Sequence, residues 1–440
     1  MLQTLKGNIV FDWTALHEKY GTVVRVGPGE LSYISAQAWS DIYGARQGKG
    51  QMPKYKVVNI EGFGADNMIN STPENHSRHR KLLSHAFSDK AMRAQEPLIT
   101  EYIDLLMLRL KECVNQTLDL TKWFNLTTFD ITGDLTFGEP FNGLKEAEYN
   151  PWITLIFSNL KMMVFGNVAA EIPGMTKLLY RFAPKKLIQE SEEHISLTKR
   201  NTVRRMKMDT KRKDFMSYIL RNNDDESGLS INEIQADAYV LLIGGSETSA
   251  TTLSGASYYL CQDPYIMGRL VAEVRSSFTS ESDINFSTLS KLPYLLAVLQ
   301  ESLRIYPPVP GNLPREVPPE GAIIDGRFVP GGNGVSVCQW AAYHSQTNFK
   351  NADRFVPERW LGEDPQYADD NHDVFQPFGF GPRNCIGRNL AYMEMRLILA
   401  RLLWNFDIEL CKESEGWSKQ RVFMLWEKPE LNVRLTLRRV

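Results

Sequence analysis

Phe378-Gly-Phe-Gly-Pro-Arg-Asn-Cys-Ile-Gly387 is the stretch that decides the reading of this 440-residue chain. Glycines and a proline bracket one cysteine just ahead of a helix expected over Ile386 to Leu403. Gly379, Gly381 and Gly387 allow close backbone approach and positive φ. The positive N-terminal end of the helix favours an anionic sulfur, and Arg383 adds charge two residues before Cys385. The loop therefore reads as one that holds a thiolate in place. Cys113, Cys261, Cys338 and Cys411 lack that frame and read as small buried hydrophobes. With no CxxC pair and an odd count of 5, the cysteines disfavour a disulfide framework or zinc ribbon and point to a reducing compartment. The Asn-x-Ser/Thr matches at Asn70, Asn75, Asn115, Asn125 and Asn285 arise by chance too often to argue for secretion.

A second stretch reads as one long helix. Ser230-Ile-Asn-Glu233 is a capping-box pattern, and Asp263-Pro264 stops the helix after Gln262. At 1.5 Å per residue it spans about 50 Å, enough to cross a protein of this size. Within it lies Gly244-Gly-Ser-Glu-Thr-Ser-Ala-Thr-Thr252, whose paired glycines each cost roughly 1 kcal/mol relative to alanine. Small residues there permit either tight helix packing or the approach of a flat cofactor to the backbone. A third stretch, Leu292 to Tyr306, carries a helical apolar face ended by Pro307-Pro308. Its Glu301 and Arg304 are three apart and able to meet, which alone would be an ordinary surface pair.

The rest of the chain agrees with a mainly α protein that has small β regions. Thr22 to Val26 and Glu30 to Ile34 flank Gly27-Pro-Gly29 as a hairpin, giving a β-rich portion over about 20–36. The α-rich body is expected over about 73–306, and again over about 386–403. β signal returns over about 320–342, in Ala322-Ile-Ile324 and Arg327-Phe-Val329 around Asp325-Gly326, then in Val335 to Trp340. Leu361 to Gln376 is polar and aperiodic, a long loop of the kind kept for a function. No repeat or linker divides the chain, so a single domain over 1–440 is expected. Lys plus Arg (50) nearly balances Asp plus Glu (52), which leaves no basic field for nucleic acid. Hydrophobic residues make up 43%, enough for a large core, yet no apolar run reaches the roughly 18 residues of a membrane span.

Phe378-x-x-Gly381-x-Arg383-x-Cys385-x-Gly387 resembles the haem-binding signature of the cytochrome P450 family at every defining position. The resemblance extends in order through Gly244-Gly-x-Glu247-Thr248, Glu301-x-x-Arg304 and Phe355-x-Pro-Glu-Arg359-Trp. It implies the P450-like fold, with haem b between the long helix and the cysteine loop, and Cys385 as the axial thiolate and metal ligand. A thiolate pushes electron density onto iron and favours O–O cleavage. By the same resemblance Arg383 binds a haem propionate. His76 and Arg80, in the place of a Trp-x-x-x-Arg helix, and Arg315 do the same, while Gly244, Phe378 and Gly387 border the cofactor. Glu247 and Thr248 become the catalytic pair, the hydroxyl beside bound dioxygen and the carboxylate relaying protons from water. Glu301, Arg304 and Arg359 become a buried ion network with a structural task. The other histidines show no metal-ligand spacing.

The implied activity is a monooxygenase that uses dioxygen to hydroxylate or epoxidise a lipophilic small molecule. Electrons come from NADPH through NADPH-cytochrome P450 reductase. Alternatives are the same chemistry ending in desaturation, ring closure or oxidative coupling, and a non-catalytic haem protein. The style of the sequence is similar to fungal secondary-metabolism members. Those are anchored on the cytosolic face of the endoplasmic reticulum membrane, so this chain, without an anchor, is expected to be a shortened form and a monomer. Substrate would meet roughly Tyr55 to Asn70, Pro151 to Ala183, Tyr239 to Gly244, Val309 to Leu313 and Val422 to Leu425. The expected apolar lining includes Val309, Leu313 and Phe423, with Phe63, Phe157, Met162, Met163 and Phe165. Pro173-Gly174 is expected to punctuate two lid helices. Arg78, Lys81 and Arg388 are candidates for a basic reductase-docking face.

Overall fold

A computed structural model describes residues 2–46, 50–55, 63–149, 163–169, 172, 175, 185–223 and 228–438. Phe157, Met162 and the Pro173-Gly174 lid punctuation lie outside the described residues. Helices dominate, and seven of them carry the argument: α1 (Pro73–Ser84), α2 (Asp89–Glu112), α3 (Leu120–Phe137), α4 (Lys185–Met206), α5 (Ile231–Gln262), α6 (Pro293–Ile305) and α7 (Arg388–Asn405).

The sequence signals for helix ends are realised in bonds. Ser230 Oγ accepts from Glu233 N at 3.3 Å while Ser230 N donates to Glu233 Oε2 at 2.8 Å, closing the capping box of α5. Thr72 Oγ1 accepts from Asn75 N at the start of α1, where Pro73 occupies a position that needs no donor. Helix α6 has no local cap. Its first amides, Tyr294 N and Leu295 N, donate to the Glu273 carboxylate at 2.8 Å each, a cap supplied from another helix.

Helix α3 is buried nearly all round and packs along α5. Its Thr127 and Thr128 hydroxyls stay satisfied inside the core by donating to Trp123 O at 2.7 Å and Phe124 O at 2.9 Å. The α3–α5 contact separates the two glycines of α5. A Cβ on Gly245 would lie 2.8 Å from Thr132 Cγ2, so close helix packing requires that glycine, whereas a Cβ on Gly244 would meet nothing within 4 Å.

The two β-rich portions, nearly 300 residues apart, form one sheet. Its strands are β1 (Val23–Gly27), β2 (Glu30–Tyr33), β3 (Arg315–Glu316) and β4 (Gly334–Val337), in the order β1-β2-β4-β3. β2 and β4 run parallel with Tyr33 opposite Val337. The strand expected over Val335 to Trp340 ends at Val337, and Gln339–Tyr343 is a short helix. The parallel ladder stops where β2 ends at Tyr33; beyond it Cys338 bridges Asn312, and Gln339 N and Trp340 N donate to Gly311 O at 3.3 Å and Pro310 O at 2.9 Å, so a neighbouring segment satisfies these amides as the chain turns into the helix. Asp325-Gly326 makes the expected hairpin turn between Ala322–Ile324 and Arg327–Val329, with φ of 49° and 74°.

Other elements are not anticipated by the sequence pattern. Ile9–Tyr20 and Ala36–Tyr43 are helices. Thr117–Asp119, Phe406–Leu410 and Asn432–Leu437 form a three-stranded sheet with the last strand central. Helix α7 begins two residues later than expected, at Arg388. Leu361 to Gln376 is an ordered segment with 3-10 turns at Pro365–Tyr367 and His372–Val374.

Gly245→Ala is expected to lower the melting temperature, because displacing Thr132 costs about 1–3 kcal/mol against at most about 1 kcal/mol of helix propensity gained. Gly244→Ala is expected to melt at or slightly above the parent temperature. Thermal unfolding of the two variants side by side checks the order.

Candidate active site

Between α5 and the cysteine loop lies a cavity of ≈ 320 Å³ whose wall includes Gly244, Thr248, Leu303, Val309, Leu313, Phe378, Cys385 and Gly387. The open side of Gly244 thus faces space, while Gly245 faces α3. Close helix packing accounts for Gly245, while Gly244 leaves open space on the cavity side. Thr248 Oγ1 donates to Gly244 O at 2.7 Å, a back-bond within the helix.

The cysteine loop is shaped by backbone constraints. Gly379 and Gly381 have φ of 71° and 72°, and a Cβ on Gly381 would lie 2.0 Å from Tyr43 O, so only glycine fits there. Gly387 departs from the expected positive φ: it caps α7 with φ of −84° and instead leaves space beside the sulfur. Cys385 N donates to Phe378 O at 2.6 Å, closing the loop. The thiol is open to the cavity although it lies deep in the protein. Burial pushes it up, against the Gly387 N–H and the Arg80 and Arg388 charges, which favour the anion. The net direction opposes the anionic sulfur expected from the helix end alone. A metal bound to the sulfur reverses that balance, because a coordinated thiol is deprotonated.

One side of the cavity is a cluster of cations and donors. His76, Arg80, Arg315 and Arg383, all expected, line it together with Lys54, which the sequence reading missed. Lys54 has no motif around it; an isolated bridge between Lys54 and Arg315 places it there. Burial and the charges of Arg315 and Arg383 bring the Lys54 ammonium down to about 7. Burial, then Arg383, Arg80 and Lys54, bring His76 down to about 3, and its Nδ1 is buried without a hydrogen-bond partner. Arg80 donates to Asn384 O and, at 2.6 Å, to Asn384 Oδ1. Arg383 donates to Gln51 Oε1 at 2.7 Å and Ser71 O at 2.7 Å. Clustered cations, an orphaned imidazole nitrogen and a thiol on one wall fit a planar group that carries carboxylates at its edge and a metal at its centre. The residues present fit haem.

The structure does not bring every expected residue to this wall. Glu247 is turned away from it: the carboxylate is buried against Lys428 Nζ and accepts from Thr251 Oγ1 at 3.2 Å. Burial pushes the Glu247 carboxyl up and the Lys428 ammonium down, and each one's charge opposes the other's shift. One residue of helix rotates a side chain by about 100°, so adjacent Glu247 and Thr248 face different surroundings. Phe423 is absent from the wall and packs near Phe165, ring centroids 6.2 Å apart. Phe63 instead meets the Tyr239 ring at 5.4 Å, and Met163 packs on the main core. Arg78 is a poor candidate for a free basic face, because it is paired with Glu233. The wall also holds an acid that the sequence reading missed, Glu394 of α7. Both its oxygens are buried, and burial, only partly opposed by the Ser249 hydroxyl, pushes the carboxyl up to about 8.

Glu301, Arg304 and Arg359 meet as expected, all three fully buried. Arg304 forks onto Glu301 at 2.7 and 2.9 Å, and Arg359 Nε lies 3.2 Å from the same carboxylate. Burial alone would raise the Glu301 carboxyl, but Arg304 and Arg359 outweigh it and hold it below its usual range. Trp360 Nε1 and Val356 N also donate to Glu301, and Arg304 donates to Tyr343 O, Ala352 O and Arg354 O. Asp370, unforeseen, completes the network by pairing with Arg359. The polar segment Leu361 to Gln376 thus has a structural task.

Comparison with known proteins shows the family. The family model for Cytochrome P450 matches residues 1–433. The chain is 46% identical over 436 residues to cytochrome P450 monooxygenase astA of Talaromyces wortmannii, covering 98% of this chain and 87% of that protein. It is 47% identical over 429 residues to cytochrome P450 monooxygenase efuB of Hormonema carpetanum, covering 96% and 85%. It is 42% identical over 432 residues to a trichothecene C-4 hydroxylase of Trichoderma arundinaceum, covering 95% and 85%.

Glu301→Ala leaves two buried guanidinium groups unpaired and is expected to cost about 3–5 kcal/mol, read as lost soluble protein or a lowered melting temperature. A second expectation concerns pH. With its carboxyl raised from 4.5 to about 8, Glu394 binds a proton more tightly folded than unfolded. Its stabilisation is full below its unfolded value and is lost as pH rises through its folded one. Glu394→Gln should therefore flatten the fall in melting temperature between pH of about 5 and about 8.

Proposed function

This chain belongs to the cytochrome P450 family, and on that premise we propose that Cys385 ligates a haem iron at the cavity wall while Thr248 faces the reacting centre. The enzyme is a haem monooxygenase acting on small molecules. The observation that carries the residue assignment is that the thiol, the hydroxyl and the cluster of cations open onto one cavity. When bound, haem supplies the dioxygen-activating chemistry by which one oxygen atom enters a C–H or C=C bond of the substrate and the other leaves as water.

The chain's own residues hold, exclude and protonate. His76, Arg80, Arg315, Arg383 and Lys54 bind the two propionates, whose negative charge in turn restores the basicity of Lys54 and His76. Gly244 leaves open the face of α5 on which substrate and dioxygen meet. Thr248 Oγ1 has its hydrogen directed to Gly244 O, so its lone pairs are free to accept a hydrogen bond from water or a protonated oxygen in the cavity. Glu247, buried behind it with Lys428, is the acid of the pair. Leu303, Val309 and Leu313 exclude bulk water and suit an apolar substrate.

The names of the relatives, a monooxygenase and a C-4 hydroxylase, favour hydroxylation. We read the substrate as a lipophilic secondary metabolite and the electron source as NADPH through a reductase at the endoplasmic reticulum membrane. No helix among the described residues is long and apolar enough to cross a membrane. We read residues 1–440 as one monomeric catalytic domain.

The test is the carbon monoxide difference spectrum of the reduced holoenzyme. The long-wavelength thiolate band is expected, and its absence with haem bound would remove Cys385 as the ligand. Thr248→Ala is expected to keep that band while product formed per NADPH consumed falls about tenfold; full coupling in the variant would overturn the role of the hydroxyl. Labelled dioxygen separates hydroxylation, with one labelled atom in the product, from desaturation or coupling, with none.

A further inference from the structure

The long helix carries a second buried carboxylate outside the network of Glu301. Asp237 is 1% exposed, and no lysine or arginine contacts it among the described residues. Its two oxygens are taken by two different pieces of chain. Met68 N donates to Oδ1 at 2.7 Å, and His79 Nδ1 lies 2.6 Å from Oδ2. Burial pushes the Asp237 carboxyl up, and His79 and the Met68 amide oppose that push.

Both pieces border the cavity. Met68 and Ile69 form part of its wall, and their segment folds on itself: Asn67 N donates to Asn70 Oδ1 at 2.8 Å and Ile69 N to Asn67 Oδ1 at 2.9 Å. So compact a turn moves as a unit. Among the described residues its polar ties to the remainder of the protein include the Met68 bond to Asp237 and the bonds from Arg383 to Ile69 O at 3.4 Å and Ser71 O at 2.7 Å. His79 lies on α1 between His76 and Arg80, which face the propionate side. Its Nε2 lies 3.5 Å from Glu233 Oε1, and Glu233 in turn pairs with Arg78. One carboxylate therefore joins the turn, the cofactor-binding helix and the long helix.

We propose that Asp237 is a specificity-determining positioning residue, which pins the Asn67–Ser71 turn against α5 and so sets how large a molecule the cavity accepts. A wall held by a buried carboxylate cannot retreat without leaving that carboxylate short of a donor, a loss larger than that of a neutral hydrogen bond. Through its other oxygen, which meets His79, the same carboxylate registers the turn against α1, so the substrate side and the propionate side keep one spacing. Arg383 ties the far end of the turn to the cysteine loop. The inference rests on the haem-cavity reading above.

The experiment uses the holoenzyme and two iron-binding probes, imidazole and the bulkier 4-phenylimidazole, followed by stopped-flow absorbance. Asp237→Ala is expected to keep the thiolate band with carbon monoxide and to raise the on and off rates of 4-phenylimidazole about tenfold, with imidazole changed less than twofold. Asp237→Asn keeps an acceptor for Met68 N–H and is expected to stay within about threefold of the parent. Unchanged 4-phenylimidazole rates in Asp237→Ala, with the band present, would overturn the proposal. So would equal acceleration of both probes, the mark of general loosening. If Asp237→Ala fails to load haem, hydrogen exchange of the parent holoenzyme decides: the Met68 amide is expected to exchange at least about 100-fold more slowly than that of exposed Gly64, and equal exchange would overturn the pin. A parent lacking the thiolate band would instead count against the haem-cavity reading.

Discussion

The buried carboxylate of Glu301 is the interaction on which the cysteine side of the cavity depends. It receives two guanidinium groups, an indole N–H and a peptide N–H, and the guanidiniums reach on to carbonyls of two further segments, at Tyr343 and over Lys350 to Arg354. Desolvating three charged side chains is costly unless each donor and acceptor is matched. Here the matching is nearly complete, and Asp370 supplies the second negative charge. Asp370 lies in the Leu361 to Gln376 segment that leads into the loop carrying Cys385, so its pairing with Arg359 ties the approach to that loop to the network.

Charge is distributed in the opposite manner on the cavity's own wall. Five cationic or imidazole groups converge there, and the acid on that wall, Glu394, is pushed by burial toward its neutral form. Burial, and after it the mutual repulsion of these groups, draws His76 and Lys54 far below their ordinary basicity. An anionic partner relieves that repulsion. The protein is thus built to be more favourable with a dicarboxylate group in place than without one.

The long helix performs several tasks by facing several directions. Gly244 and Thr248 face the cavity, Gly245 packs on α3, Glu247 is buried with Lys428, and Asp237 meets α1 and the Asn67–Ser71 turn. Adjacent residues can do unrelated work because each step along the helix turns by about 100°. The acid and alcohol therefore adjoin in sequence while their side chains lie in different environments.

What the sequence by itself determined was whatever depends on local spacing: the capping box of α5, the glycine-framed loop, the Glu301–Arg304 pair one turn apart, and the two hairpins. Motif order then carried the family. Tertiary structure alone decided what depends on distant segments. The joining of β2 to β4, the capping of α6 by Glu273, the arrival of Lys54, Glu394 and Asp370, and the turning of Glu247 toward Lys428 all bring together residues far apart in the chain. A spacing pattern reports which residues share a helix face or a turn. It does not report which remote surface that face will meet, because packing, burial and the matching of buried charges settle that only when the whole chain has folded.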